Sequence, residues 1–254
     1  MILAVDIGNS NIVIGAIDDG KILFISRLET NHNRLEDEYA TYIKGILELY
    51  GASKTAFSGA IISSVVPPLS DVLEHAVSKL IGIHPIILGP GIKTGLNIRT
   101  NDPGQLGSDI VANNVAALNL YSGPIIVVDL GPATTISASD EDNNFIGCAI
   151  MPGVTTSLNA LTKKAALLQE INYRAPEHVI GTNTPDCMRS GIVYGTASMV
   201  DGMIDRFLSE LNMPAKVIAT GGHAKYIVPH CKNKIIYDPN LLLSGLYIIY
   251  KKNS

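Results

Sequence analysis

The chain has little with which to hold a polyanion. Its formal net charge is -4, charged residues make up 17% of its 254 positions, and no dense Lys/Arg run occurs. That excludes nucleic-acid binding through a basic face. No apolar run approaches the roughly 18 to 20 residues needed to span a bilayer. The N-terminus also lacks a basic segment followed by an apolar one and a small-residue cleavage site. The expectation is a soluble, cytoplasmic protein with no nucleic-acid and no membrane partner. Cysteine is scarce: Cys148, Cys187 and Cys231 are 39 and 44 positions apart, which suits neither a disulfide framework nor a CxxC metal site. Buried thiols are expected instead. The six His are scattered without an HxxxH pair, so the sequence offers no zinc site, and His84 before Pro85 reads as a strand or turn residue.

What is present is apolar: 46% hydrophobic residues and a mean hydropathy of +0.25, enough for a sizeable core. Residues 2–7 (ILAVDI), 12–17 (IVIGAI) and 22–27 (ILFISR) read as antiparallel strands, with Asp18-Asp19-Gly20-Lys21 turning the second hairpin. Tyr39, Ile43, Ile46, Leu47 and Tyr50 recur at helical spacing over 36–50, and Gly51 stops that helix. A strand at 60–63 leads through Pro67-Pro68 into a helix over 69–80.

The second half repeats the order of the first. VDIGNSN begins at Val5, and VDLGPATT begins 123 positions later at Val128, an offset close to half the chain. Each follows an apolar strand and precedes a hairpin, and a strand at 216–219 runs into Thr220-Gly221-Gly222 much as 60–63 runs into its own turn. The organisation expected is two related α/β halves, 1–122 and 123–254, with a boundary near Gly123-Pro124.

An Asp-x-Gly turn after a strand has a chemical use. Glycine permits close approach, so backbone N–H groups can face a phosphate, and an Asp just before the turn can hold a metal bound to that phosphate. Asn9, Ser10 and Asn11 add short donors. One such loop per half, facing across a cleft, would hold a triphosphate from both sides. A single copy reads first as a structural turn; the duplication, at matched positions, favours function over a repeat kept only for folding.

Further along, GIKTGLNI (91–98), DPGQLGSD (102–109), IMPG (150–153), NTPDCMRSGIVYG (183–195), ATGGHA (219–224) and DPNLLLSGLYIIY (238–250) appear in order. With DIGNSN, these segments make the chain resemble the type III pantothenate kinases, of the acetate and sugar kinase, Hsp70 and actin superfamily. The resemblance implies two ribonuclease-H-like domains with a nucleotide cleft between them, transfer of the γ-phosphoryl of ATP to pantothenate, Mg²⁺, a monovalent cation (K⁺ or NH₄⁺), and a homodimer. It also implies site residues. Asp6, Ile7, Gly8, Asn9, Ser10, Asn11, Ile12 and Val13 form the first phosphate loop, with Asp6 near the metal. Asp129 holds the monovalent cation. Pro132 falls on a nucleotide contact, and Gly221 and Gly222 on the adenosine-side turn. Gly107, Ser108, Asp109, Ile110 and Thr184 fall on pantothenate contacts, with Asp109 as the catalytic base.

Each assignment has a plainer competitor in the residues themselves. Asp109 lies near the start of a helix over VANNVAALNLY, where an Asp is usually a cap. Thr220-Gly221-Gly222 reads equally as a tight turn, and Asn183-Thr184-Pro185 as a turn or cap. DPNLLLSGLYIIY fits a helix packed on the core. Two positions depart from the family pattern. Gly-Ala-Asp-Arg is here Gly107-Ser108-Asp109-Ile110, and Ile cannot pair with a carboxylate as a guanidinium can, a loss of about 2–5 kcal/mol if the partner charge stays buried. Asp-Phe-Gly-Thr-Ala-Thr is here Asp129-Leu130-Gly131-Pro132-Ala133-Thr134, which removes a hydroxyl and a backbone N–H. Two readings follow: a working kinase in which Arg99 supplies the missing charge, or a paralogue that keeps the fold but has lost activity or changed substrate, acting as a nucleotide-binding or regulatory protein. A sugar or carboxylic-acid phosphotransferase of the same superfamily is more distant.

Overall fold

A computed structural model describes residues 1–165, 168 and 171–254. The chain divides into two compact units. The first comprises 1–96, 101–116 and 241–254, and the second 97–100 and 117–240.

The first unit is built on strands β1 (Ile2–Ile7), β2 (Asn11–Asp18), β3 (Lys21–Glu29), β4 (Gly59–Ser64) and β5 (Ile86–Ile87), in the order β3-β2-β1-β4-β5. The β2–β3 turn needs left-handed backbone at consecutive positions, which Asp19 (φ 44) and Gly20 (φ 78) supply. β1 pairs antiparallel with β2 and parallel with β4, so it lies inside the sheet and is apolar on both faces. On one face Leu3, Val5, Ile7, Ile12 and Ile14 pack against helices α1 (Glu36–Leu49) and α2 (Pro67–Ile81) through Tyr39, Ile43, Leu69 and Leu73. Alternation turns Gly15 to the other face, where a Cβ would lie 2.8 Å from Leu243 Cδ1. Leu243 belongs to the terminal helix α7 (Leu241–Asn253), which therefore covers that face. Helix α3 (Ser108–Tyr121) touches it there: a methyl at Gly245 would fall 2.0 Å from the Ala112 carbonyl oxygen, so the helices meet backbone to backbone.

The second unit repeats this plan with β7 (Ile125–Leu130), β8 (Ala133–Ser139), β9 (Asn144–Pro152), β10 (Lys216–Thr220) and β11 (Ile235–Tyr237), and adds an edge strand β6 (Asn97–Ile98). Its order is β11-β10-β7-β8-β9-β6. With β6 set aside, β9-β8-β7-β10-β11 is the first sheet over again. Helices α4 (Val154–Lys164) and α5 (Thr184–Leu211) and the short α6 (Ala224–Ile227) bury Val154, Ile192, Val193, Val200 and Ile227 against Ile126, Val128 and Ile136.

The two hairpins differ by a residue. In the first, Ile7 is paired with Ile12; in the second, Leu130 is paired with Thr134. The offset of 123 read from the sequence holds up to the turn and falls to 122 after it. Among the described residues no helix is long and apolar enough to cross a membrane.

Candidate active site

Asp6 is the fifth residue of β1, half-buried, and paired in register with Val13 and Ser63. The loop after it closes through the Gly8 N–H, which donates to the Asn11 carbonyl at 3.1 Å. Thr30 braces it from behind, its hydroxyl donating to Gly8 O at 2.6 Å and its N–H to Ser10 O at 3.1 Å. The side chains of Asn9, Ser10 and Asn11 are thereby left in solvent, while Ile7 and Ile12 are wholly buried in the core. The loop thus offers solvent its polar tip and backbone, and the isoleucines hold its roots. Val13 is half-buried beside Asp6.

Asp129 occupies the matching place on β7, paired with Thr135 and Thr220. Gly221 is pressed against it. A methyl there would lie 2.4 Å from Asp129 Oδ1 and 2.6 Å from the Leu130 carbonyl carbon, and φ is +93. Only glycine fits on both counts. Gly222 is exposed with nothing within 4 Å of a Cβ, so it presents bare backbone. The Pro132 carbonyl accepts from the Gly153 N–H at 3.1 Å and from the Thr156 hydroxyl at 2.7 Å, which ties the second loop to the start of α4. Thr134 is fully buried, and its Oγ1 has no hydrogen-bond partner among the described residues.

Nothing in the residue pattern singles out His223, which stands beside this loop. Its N–H donates to Leu130 O at 3.1 Å, and its Nε2 shares a hydrogen bond with Thr155 Oγ1 at 3.0 Å, which in turn meets the Tyr173 hydroxyl at 2.9 Å. Burial holds the imidazole below its ordinary pKa, and the Lys225 ammonium adds to this. Only folding brings 155, 173 and 223 together; no spacing in the sequence could have shown it.

Asp109 is the second residue of α3. Its Oδ1 accepts the Ile110 N–H at 2.8 Å, and burial pushes its carboxyl above the ordinary carboxylate range. A methyl at Gly107 would lie 2.5 Å from that Oδ1, so glycine gives the carboxylate its room. Ser108 is buried and hydrogen-bonded to β4. Ile110 is 8% exposed and brings no polar group to the surface. Thr184 is the first residue of α5, capped by Asn183, whose Oδ1 accepts the Asp186 N–H at 2.9 Å. It is exposed and lines a cavity of about 550 Å³ with Leu161, Asn183 and Met188. Arg99 follows β6, where its N–H donates to Phe145 O at 3.1 Å; slight burial pushes the nearby Asp140 carboxyl up, but hydrogen bonds from Asn144 and Asp142 hold it below its ordinary range, the Arg99 charge adding least. Among the described residues, no group of three or more His, Cys, Asp or Glu could hold a metal ion unaided. An ion bound largely by phosphate oxygens needs only one or two carboxylates, and Asp6 fits that demand.

The family model for type III pantothenate kinase matches residues 2–206. The chain belongs to the type III pantothenate kinase family. It is 44% identical over 253 residues to the type III pantothenate kinase of Geobacillus sp. (strain WCH70), covering 100% of this chain and 98% of the relative. Solved structures agree on the fold at far lower identity. Component A of the (R)-2-hydroxyglutaryl-CoA dehydratase of Acidaminococcus fermentans superposes with a TM-score of 0.57 at 14% identity, covering 100% of this chain and 99% of that one. The inorganic polyphosphate/ATP-glucomannokinase of Arthrobacter sp. strain KM does so at 0.51 and 12%, covering 99% and 97%. The two sheets of this pantothenate kinase family member are thus the ribonuclease-H-like domains of the actin, Hsp70 and sugar kinase type.

Proposed function

We propose that this chain catalyses the reaction its family is named for, transfer of the γ-phosphoryl group of ATP to the primary hydroxyl of pantothenate, the first step of coenzyme A synthesis. The observation that carries the reading is the 44% identity to a type III pantothenate kinase along the full chain. The hydroxyl oxygen attacks the γ-phosphorus, the bond to the bridging oxygen breaks, ADP leaves, and the hydroxyl proton passes to Asp109. A primary alcohol is a poor nucleophile at neutral pH, and a carboxylate raised by burial is a stronger base than a solvated one. Asp6 and the backbone of Ile7 to Val13 hold the phosphates, and Gly221 and Gly222 take the adenosine. Pro132 lies at the nucleotide contact; Gly107, Ser108, Ile110 and Thr184 surround pantothenate. Mg²⁺ at Asp6, when bound, neutralises phosphate charge, and K⁺ or NH₄⁺ belongs beside Asp129. The enzyme works in the cytoplasm as a homodimer.

Ile110 favours a second reading, since a buried aliphatic side chain cannot take the pantothenate carboxylate. The relative would then bind nucleotide without turnover. A coupled assay with ATP, Mg²⁺, K⁺ and pantothenate decides between them: ADP release that depends on pantothenate supports the kinase, and nucleotide binding without product supports the silent relative.

A further inference from the structure

The hydroxyl of Ser108 uses its whole hydrogen-bonding capacity on one strand end. It donates to Ser64 O at 3.0 Å and accepts the Ser64 N–H at 3.0 Å. With that proton on Ser64 O, the 2.9 Å contact with Ser63 is one in which the Ser63 hydroxyl donates; either hydroxyl has the geometry to do so. Ser63 is fully buried and Ser108 is 9% exposed, so these bonds exchange little with water. The strand end is held in its turn: Ser64 Oγ accepts from the Ser70 hydroxyl at 2.8 Å and from the Val66 N–H at 3.1 Å.

The position of this knot gives it meaning. Ser63 is the register partner of Asp6, and Ser64 of Ile7, so Ser108 is fastened beside the strand end that carries the first phosphate loop. The residue after Ser108 is Asp109, whose carboxylate folds back over Gly107 and is held by the Ile110 N–H. A single hydroxyl therefore connects the start of α3 to the root of the Asp6 loop.

We propose that Ser108 is a positioning residue for phosphoryl transfer, fixing where Asp109 stands relative to the Asp6 loop. This rests on the reading of Asp109 as the base. In-line transfer tolerates little misplacement of the group that takes the proton, so loosening the start of α3 reduces turnover more than substrate binding. Alanine at 108 removes the oxygen and adds no bulk, leaving the Ser64 N–H and the Ser63 hydroxyl without their partner.

The test is a double-mutant cycle of Ser108→Ala and Asp109→Asn in the full-length enzyme, read by kcat, by KM for ATP and pantothenate, and by thermal unfolding of each variant. Ser108→Ala is expected to lower kcat about tenfold, with KM for ATP within about twofold of the parent. In the Asp109→Asn background the same change is expected to lower kcat by less than about twofold, because the base it positions is already gone. An unchanged kcat for Ser108→Ala, or an equal proportional loss in both backgrounds, overturns the positioning role while leaving Asp109 as base. Parental turnover in Asp109→Asn alone overturns the base reading, and this proposal with it.

Discussion

Gly221 and Gly222 are adjacent, yet the structure sets opposite demands on them, and the contrast tests the nucleotide site. At Gly221 a methyl would overlap Asp129 Oδ1 at 2.4 Å and the Leu130 nitrogen at 2.7 Å, on a backbone held at φ +93. Backbone strain of this kind costs about 1–3 kcal/mol, and overpacking about 1–3 kcal/mol more. Gly221→Ala should therefore lose about 2–6 kcal/mol of folding stability, and its Tm should fall by about 5–20 °C. At Gly222 a Cβ meets nothing within 4 Å. Gly222→Ala should fold as the parent does, or gain about 0.4–1 kcal/mol from a less flexible unfolded chain. Its effect should appear only with nucleotide, where a methyl stands between adenosine and bare backbone. The same overpacking range of about 1–3 kcal/mol then raises KM for ATP about 5- to 150-fold. The assays are calorimetric melting without ligand and steady-state kinetics with ATP varied at saturating pantothenate. A Gly222→Ala enzyme with the parental KM for ATP would refute adenosine binding at this turn. A Gly221→Ala protein with the parental Tm would refute the packing argument.

Asp109→Asn should lower turnover at least about a hundredfold, the scale of a lost general base, and parental turnover would remove Asp109 from that role. Because burial raises the carboxyl's pKa in the folded chain, its ionised form opposes folding as pH rises through that pKa. The neutral amide should thus melt no lower than the parent at pH 7, and a lower Tm would contradict the desolvation argument. Replacing K⁺ by Na⁺ should raise the apparent KM for ATP, and Asp129→Asn should abolish the difference; indifference of the parent enzyme to the cation would refute the ion site. His223 has a folded pKa below its ordinary value of 6.5, so the unfolded chain takes up its proton first, and stability falls as pH drops below about 6.5. Denaturant titrations from pH 7 to 5 should show that slope flattened in His223→Gln, and an unaltered slope would exclude His223 as its source.

Much of this was legible because it is written in local pattern. The strands expected at 2–7, 12–17 and 22–27 and the helix at 36–50 lie within a few residues of β1, β2, β3 and α1. Alternating apolar residues, the Asp-Gly turn and a helical stripe are short-range signals. The second helix begins at Pro67, earlier than expected, because proline at the first helical positions needs no N–H partner. Three things were not legible. The terminal helix fits a core-packing pattern, yet nothing in it says which sheet it covers; Gly15 and Gly245 decide that by admitting it closely. Ser108 reads as a minor change from alanine until its hydroxyl is found bonded to residues 44 and 45 positions away. The polar cluster of Thr155, Tyr173 and His223 spans 68 positions and leaves no periodic trace.

Proline at 132 bears on activity differently once the hairpin is seen. A proline damages a loop when its missing N–H was needed, or when its ring strikes the chain. Here the turn closes through the Gly131 N–H, which donates to Ala133 O at 3.1 Å, and the strands stay paired up to Leu130 and Thr134. Residue 132 is exposed at the tip and contributes its carbonyl, which the Gly153 N–H and the Thr156 hydroxyl both use. The substitution thus leaves the loop's frame intact and takes away a hydroxyl and a backbone N–H. Unlike the first loop, with Asn9, Ser10 and Asn11 in solvent, the second has proline at its tip and behind it a buried Thr134 hydroxyl with no partner among the described residues. The two halves have kept one scaffold while diverging at the turn, where the second hairpin is a residue shorter and carries fewer exposed side-chain donors.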